Sequence, residues 1–243
     1  MALDGIVIAN MVKELNEKIL GGKINKIAQP ETDELLLTIK NQKTQYRLLI
    51  SAGASLPLIY FTEKNKPSPM TAPNFCMLLR KHIGSGKFTR IYQPGLERII
   101  HFELEHLNEL GDLCKKVLTV EIMGKHSNII FCDDKGTILD SIKHVSAHMS
   151  SVREVLPGRP YFIPHTQDKC DPVTVAEETF LNQVFQKPLP LGKALYTTLT
   201  GISPLVAEEI CHRASLESSQ IANTLSELER IHLFHTFALL MED

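Results

Sequence analysis

Near the amino terminus, Leu3, Ile6, Val7, Met11, Leu15 and Ile19 recur at spacings of mostly three and four residues. That spacing predicts an amphipathic helix, and Gly21-Gly22 suit its C-terminal cap. Beyond it come short strand-like runs: KINKIAQ (23–29), ELLLTIK (34–40), TQYRLLIS (44–51) and LPLIYF (56–61), with turn residues between them. These read as an antiparallel meander. Pro67, Pro69 and Pro73 interrupt the chain before NFCMLLRKHI (74–83), which regains helical spacing and stops at Gly84. Strand patterns return in KFTRIYQ (87–93), RIIHFEL (98–104), KVLTVEIM (116–123) and SNIIFCD (127–133), and Asp134-Lys135-Gly136 turns the chain into TILDSIKHV (137–145). After Pro172 the strand patterns vanish. Helical periodicity runs through 175–185, 192–199, 203–214 and 218–240. The expected fold is α+β: an antiparallel β-rich domain over 1–172, then a small all-helical domain over 173–243.

Composition narrows the class. The chain has 243 residues, 43% hydrophobic and 22% charged, with 13 Gly, 13 Pro and 5 Cys, which excludes collagenous, disordered and disulfide-scaffold proteins. Cys76, Cys114, Cys132, Cys170 and Cys211 form no C-x-x-C pair, which argues against a zinc ribbon or a redox motif and fits a reducing, cytoplasmic setting. The first residues do not read as a signal peptide. No run approaches the ~20 apolar residues of a spanning helix, so no membrane is expected. The net charge of -2 conceals a basic island. Residues 64–98 carry seven Lys/Arg against Glu97 alone, whereas 176–243 carry four against nine acids. Such an island is either a phosphate-binding face or a solvated surface.

Local motifs come next. Leu199-Thr200-Gly201-Ile202-Ser203-Pro204 resembles the turn of a helix-hairpin-helix, which can aim backbone N–H groups at phosphate. Ser203 replaces the pattern's second glycine, Leu205 its basic residue, and the surroundings are acidic, so a packing role is favoured. His144 and His148 have helical i, i+4 spacing but no third ligand, and His232 and His235 lie in an apolar helix, so no metal or cofactor is expected. Walker, G-x-G-x-x-G and G-x-S-x-G patterns are missing, and nothing announces a nucleophile. Glu97-Arg98 at a strand entry and Glu121 inside an apolar strand admit two readings. They form a buried or edge Glu–Arg pair that fixes register, or a polar floor that meets RNA with Arg98, Lys125 and His126.

Four stretches taken together resemble the NFACT family of bacterial RqcH-type and eukaryotic NEMF-type proteins. They are NFCMLLRKHI (74–83), QPGLERII (93–100), EIMGKHSN (121–128) and REVLPGRPY (153–161). The resemblance implies an NFACT-N domain, with a fold similar to the amino-terminal domain of formamidopyrimidine-DNA glycosylases, followed by a helix-hairpin-helix domain. It also implies that a coiled coil and an NFACT-R domain are absent from this chain. The role implied is ribosome-associated quality control. Partners would be a stalled large ribosomal subunit with its peptidyl-tRNA and rRNA, and alanyl-tRNA recruited for template-free alanine tailing. The ribosome makes the bonds, so the chain would not be an enzyme. The implied tRNA-handling residues are Asp4, Glu97 (relatives often carry Asp), Arg98, Glu121, Ile122 and Met123, with Asp4 and Glu97 orienting Arg98. Arg80, Lys81, Lys87, Arg90 and Lys125 would supply backbone contacts.

Two other classes stay open at this level. A glycosylase-like DNA-binding protein is disfavoured because the start is Met1-Ala2-Leu3 and no proline precedes Pro30, so the family's proline nucleophile is missing. A fibronectin-binding surface adhesin follows from an older name of the same family.

Overall fold

The structure is a computed structural model that describes residues 3–164 and 168–242. The Met1-Ala2 start lies outside the described residues. The chain divides into two compact units. One comprises Met1–Leu3, Ile8–Gln93 and Arg98–Pro164; the other comprises Asp4–Val7, Pro94–Glu97 and His165–Asp243. No single boundary drawn along the sequence can express that division, because two short early segments belong with the helical part.

In the first unit, most of helix α1 (Gly5–Ile19) and helix α2 (Asn74–Ile83) pack, among the described residues, with nine strands. The strands are β1 (Lys23–Ala28), β2 (Glu34–Asn41), β3 (Thr44–Ser51), β4 (Leu58–Phe61), β5 (Lys87–Tyr92), β6 (Ile99–Leu107), β7 (Leu113–Glu121), β8 (Asn128–Asp133) and β9 (Ile138–Ser141). Their order is β4-β3-β2-β1-β5-β6-β7-β8-β9, antiparallel throughout. The meander expected from the sequence is therefore present. Its two halves meet only at the β1–β5 seam, where Lys23 and Lys87 are the single registered pair.

Alternation explains which residues face the core. Leu35, Leu37 and Ile39 of β2 join Phe88, Phe102, Leu118 and Phe131 in one cluster, with Ile8, Leu15 and Ile19 of α1 and Phe75, Leu79 and Ile83 of α2. On β8 both faces are covered: Ile129 and Phe131 enter that cluster, while Ile130 and Cys132 pack with Ile138 and Val155. That is why its sequence reads as a continuous apolar run.

The second unit holds α3 (Glu177–Phe185), α4 (Leu191–Thr198), α5 (Pro204–Arg213) and α6 (Glu227–Glu242). The helix expected over 218–240 is instead a 3-10 turn at Ala222–Thr224 followed by α6. Ser226 and Glu229 explain the break: the Ser226 N–H donates to Glu229 Oε2 at 2.7 Å and Glu229 N–H reaches back to Ser226 Oγ at 3.4 Å, a capping box. His144 and His148 lie outside any helix, so the i, i+4 geometry that zinc would need is not formed. No helix among the described residues is long and apolar enough to cross a membrane.

Candidate nucleic-acid interface

Asp4 caps α1. Its Oδ1 accepts from the Val7 N–H at 3.0 Å, and its Oδ2 accepts from the Ser203 hydroxyl at 2.6 Å. Ser203 in turn caps α5, accepting from the Val206 N–H at 3.2 Å. The same junction is bolted by the Gly5 N–H donating to the Gly201 carbonyl at 2.8 Å. Gly201 has φ +72, and a Cβ there would lie 2.0 Å from the Leu96 carbonyl oxygen. A Cβ on Gly5 would meet the same oxygen at 2.3 Å. Three separated segments (Asp4-Gly5, the Pro94–Glu97 turn and Gly201–Ser203) are therefore knit at one point of the second unit. The Gly201–Ser203 turn packs closely against the Leu96 backbone, and Asp4 is first of all a cap.

Glu97 is half-buried, and its N–H donates to the Pro94 carbonyl at 3.0 Å. Arg98 is half-buried at the entry to β6. Its carbonyl accepts from the Ile122 N–H at 2.8 Å, and its neighbour Ile99 registers with Glu121. The fold thus brings Arg98 beside the Glu121-Ile122-Met123 segment.

Glu121 is fully buried. Its Oε1 takes a charge-assisted bond from Arg153 Nη2, and its Oε2 accepts from the Tyr161 hydroxyl at 2.9 Å. Arg153 Nη1 also donates to the Phe162 carbonyl at 2.7 Å. Burial, reinforced by the Glu121 charge, pushes the Tyr161 phenol well above its ordinary range, so it remains a donor. Glu121 therefore pairs with the REVLPGRPY segment rather than with Arg98. Ile122 is 2% exposed. Neither Glu121 nor Ile122, both named above as tRNA-handling residues, presents its side chain to solvent. Met123 is half-buried, with its N–H held by Ser127 Oγ at 2.8 Å. The next turn, Gly124–His126, puts Lys125 and His126 in solvent.

A ladder of rings runs beside this pair. Arg90 lies over Tyr92 at 3.9 Å, Tyr92 meets His101 at 5.0 Å, and His101 meets Tyr161 edge-on at 5.9 Å. His101 Nδ1 is 2.8 Å from Thr119 Oγ1. Burial and the Arg90 charge push His101 down to about 4, so the ring is neutral at neutral pH. Arg90 is also 3.5 Å from Glu103.

The basic island divides in three dimensions. Arg80, Lys81 and Lys87 line an open groove of about 460 Å³ together with Lys23, His82, Glu105, His106 and the apolar Leu107 and Leu113. Arg90 belongs to the ring ladder, and Lys125 to the Glu121 end. Lys23, His82 and His106 were not among the sequence candidates. The signal for Lys23 is its pairing opposite Lys87, which only the strand order reveals. Burial, followed by Lys116, His106 and Lys81, lowers the His82 pKa against a small opposing effect of Glu109. Burial also lowers His106; its bond to the Leu107 carbonyl opposes this and Lys116 adds to it. No group of three His, Cys, Asp or Glu among the described residues could hold a metal ion.

The family model for the NFACT N-terminal and middle domains matches residues 4–243. The Rqc2 homolog RqcH of Bacillus subtilis is 42% identical over 217 residues, covering 89% of this chain and 38% of that protein. Mouse ribosome quality control complex subunit NEMF is 25% identical over 194 residues, covering 80% of this chain and 17% of NEMF. The chain therefore spans well under half the length of these relatives. Among solved structures, the N-terminal part of the fibronectin/fibrinogen-binding protein from Streptococcus suis superposes with TM-score 0.85 and 29% identity, over 100% of this chain and 85% of that one. The fibrinogen-binding protein from Staphylococcus aureus gives TM-score 0.83 and 28% identity, over 100% and 82%.

Proposed function

The chain belongs to the NFACT family through that family's N-terminal and middle domains, and on that premise we propose that it is the RNA-handling amino-terminal part of a ribosome-associated quality-control factor. In this reading it acts in the cytoplasm on a large subunit blocked by peptidyl-tRNA and holds alanyl-tRNA for template-free tailing. The peptidyl-transferase centre makes the bonds, so this chain is a selector and holder rather than an enzyme. We read α4–turn–α5 as a helix-hairpin-helix used for packing.

The observation that carries the reading is the placement of Arg98. A backbone hydrogen bond ties it to Ile122, beside a segment from which Met123, Lys125 and His126 reach the surface. Glu121, clasped by Arg153 and Tyr161, stiffens that segment from beneath. A guanidinium and an ammonium on a braced strand end suit phosphate and 2′-hydroxyl groups of a folded RNA. The test is competition for this chain between labelled tRNA-Ala, a second tRNA and duplex DNA across a salt series. Selective, salt-sensitive retention of tRNA-Ala supports the proposal, and equal binding of all three sinks it. The names of the streptococcal and staphylococcal neighbours favour a second reading, capture of fibronectin or fibrinogen. Saturable binding of either by this chain, unaffected by competing tRNA, would favour that one.

A further inference from the structure

Strand register lines up charges that are far apart in sequence. Lys40 of β2 registers with Lys23 of β1, Lys23 with Lys87 of β5, Lys87 with Glu105 of β6, and Glu105 with Lys115 of β7. This rung crosses five strands, and at ~4.8 Å per strand it spans roughly 19 Å. It carries four lysines and one glutamate, and all four lysines are exposed. Like charges placed directly opposite on antiparallel strands destabilise a sheet. Here three lysines are consecutive, and the Lys23–Lys87 pair sits at the seam between the two halves of the sheet, flanked by backbone bonds from Ile24 N–H to Gly86 and from Phe88 N–H to Gly22. Glu105 opposite Lys87 offsets part of this repulsion, but Lys23 gains no such partner, and a threonine or glutamine there would span the seam without repulsion. Among the described residues neither Lys23 nor Lys87 forms an ion pair.

Helix α2 adds charge to the same groove. The Arg80 Nε donates to the Ile27 carbonyl at 2.8 Å, which fixes the direction of the guanidinium at the groove wall. Lys81 meets Glu109 at 3.3 Å in a pair exposed on both sides, which is weak and easily exchanged. Deeper in, His82 lies edge-on to His106 at 6.1 Å. His106 Nδ1 is 3.2 Å from the Leu107 carbonyl and its Nε2 is 3.1 Å from Lys116 Nζ. A carbonyl requires a donor and an ammonium requires an acceptor, so this ring is the neutral tautomer with its proton on Nδ1.

We infer that the lysine rung and the α2 cations form a second RNA contact, which grips successive backbone phosphates without reading sequence. This rests on the RNA-handling role proposed above, but it is a separate place. β6 runs from Ile99 to Leu107, so at ~3.3 Å per residue its Arg98–Glu121 end lies roughly 26 Å from the groove end. A row of cations on an open surface suits a repeating anion, and the repulsion between Lys23 and Lys87 is relieved when a phosphate sits between them.

The histidine pair makes the contact proton-linked. His82 faces Phe131, His106, Lys116, Lys81 and Glu109; His106 faces Lys116, His82 and the Leu107 carbonyl. Burial disfavours the imidazolium of both rings, and the Lys116 ammonium adds to it. An incoming phosphate offsets the Lys116 charge beside both rings, so protons are taken up on binding and affinity rises as pH falls.

The probe is a labelled RNA hairpin unrelated to tRNA, titrated against the full chain, its Lys23→Gln/Lys87→Gln variant and its Arg98→Ala variant. Loss of two phosphate contacts flattens the slope of log affinity against log salt by about 1.5. The variant should melt close to the parent, since the Lys23–Lys87 repulsion is removed together with the Lys87–Glu105 attraction. An unchanged slope in a folded variant overturns the inference, as does equal competition by polyglutamate. The pH gain should vanish in a His82→Asn/His106→Asn variant that retains its melting curve. If that variant melts early, a flat pH profile of the parent chain would still reject proton linkage. Arg98→Ala separates the two ideas. Hairpin binding that depends on Lys23 and Lys87 but ignores Arg98, together with absent tRNA selectivity, would sink the quality-control role and leave the groove standing. Selective tRNA binding with an unchanged slope in the lysine variant would do the reverse.

Discussion

The residue with most at stake is Glu121. A buried carboxylate is tolerated only while its partners remain, and both oxygens are occupied here, by Arg153 and Tyr161. Removing one member leaves the other charge stranded, so Glu121→Ala or Arg153→Ala should each cost about 3–5 kcal/mol in denaturant unfolding. Tyr161→Phe should cost about 1–2 kcal/mol. The double variant should lose far less than the sum, and full additivity would show that the pair is not the anchor. His101 supplies a pH signature. Its folded pKa of about 4 lies below the ordinary 6.5, so between these values the unfolded chain binds the extra proton. Stability is full above about pH 6.5 and falls by about 3 kcal/mol towards pH 4. A His101→Gln variant should lose that part of the slope, and an identical slope would mean the ring is not the titrating group. The sequence marked Glu121 as a polar intruder in an apolar strand and offered an ion pair as one reading. It could not name Arg153, because a partner thirty-two residues away becomes adjacent only once the sheet is built.

Elements were legible in proportion to how local their causes are. The nine strands and α1 and α2 follow from alternation, helical spacing and punctuation by glycine and proline, and they form where those patterns place them. The long carboxy-terminal helix was misread because apolar periodicity overruled a local stop: Ser226-x-x-Glu229 is a capping box visible in the sequence and restarts the helix at Glu227. The turn between α4 and α5 is held by residues distant in sequence. Ser203→Ala removes the α5 cap and the hydroxyl that Asp4 binds, so a loss of about 1–2 kcal/mol is expected. Gly201→Ala should cost more, since a Cβ 2.0 Å from the Leu96 carbonyl cannot be placed without moving backbone. Thermal unfolding of the two variants checks the order, and a Gly201→Ala chain that melts like the parent would refute the close approach.

Across the whole molecule, charge that looks like one island along the sequence is spread over several places, Lys66 among them paired with Glu34 of β2, because the chain reverses direction every few residues while charge is counted linearly. Arg80, Lys81 and Lys87 go to the groove, Arg90 to the ring ladder, and Arg98 to the far end of β6. Arg98 is the one whose value should lie in recognition rather than folding. It enters the scaffold through its carbonyl, which any residue supplies, whereas Glu121 enters through its carboxylate. Arg98→Ala should therefore leave the melting temperature within a degree or two while weakening tRNA binding by about tenfold, some 1.4 kcal/mol. The salt slope should fall by about one contact at most. The comparison that decides the matter is Arg98→Ala beside Arg153→Ala on the same tRNA. If the two reduce binding only in step with their loss of stability, Arg98 is scaffold; if Arg98→Ala loses binding while fully folded, its guanidinium touches RNA.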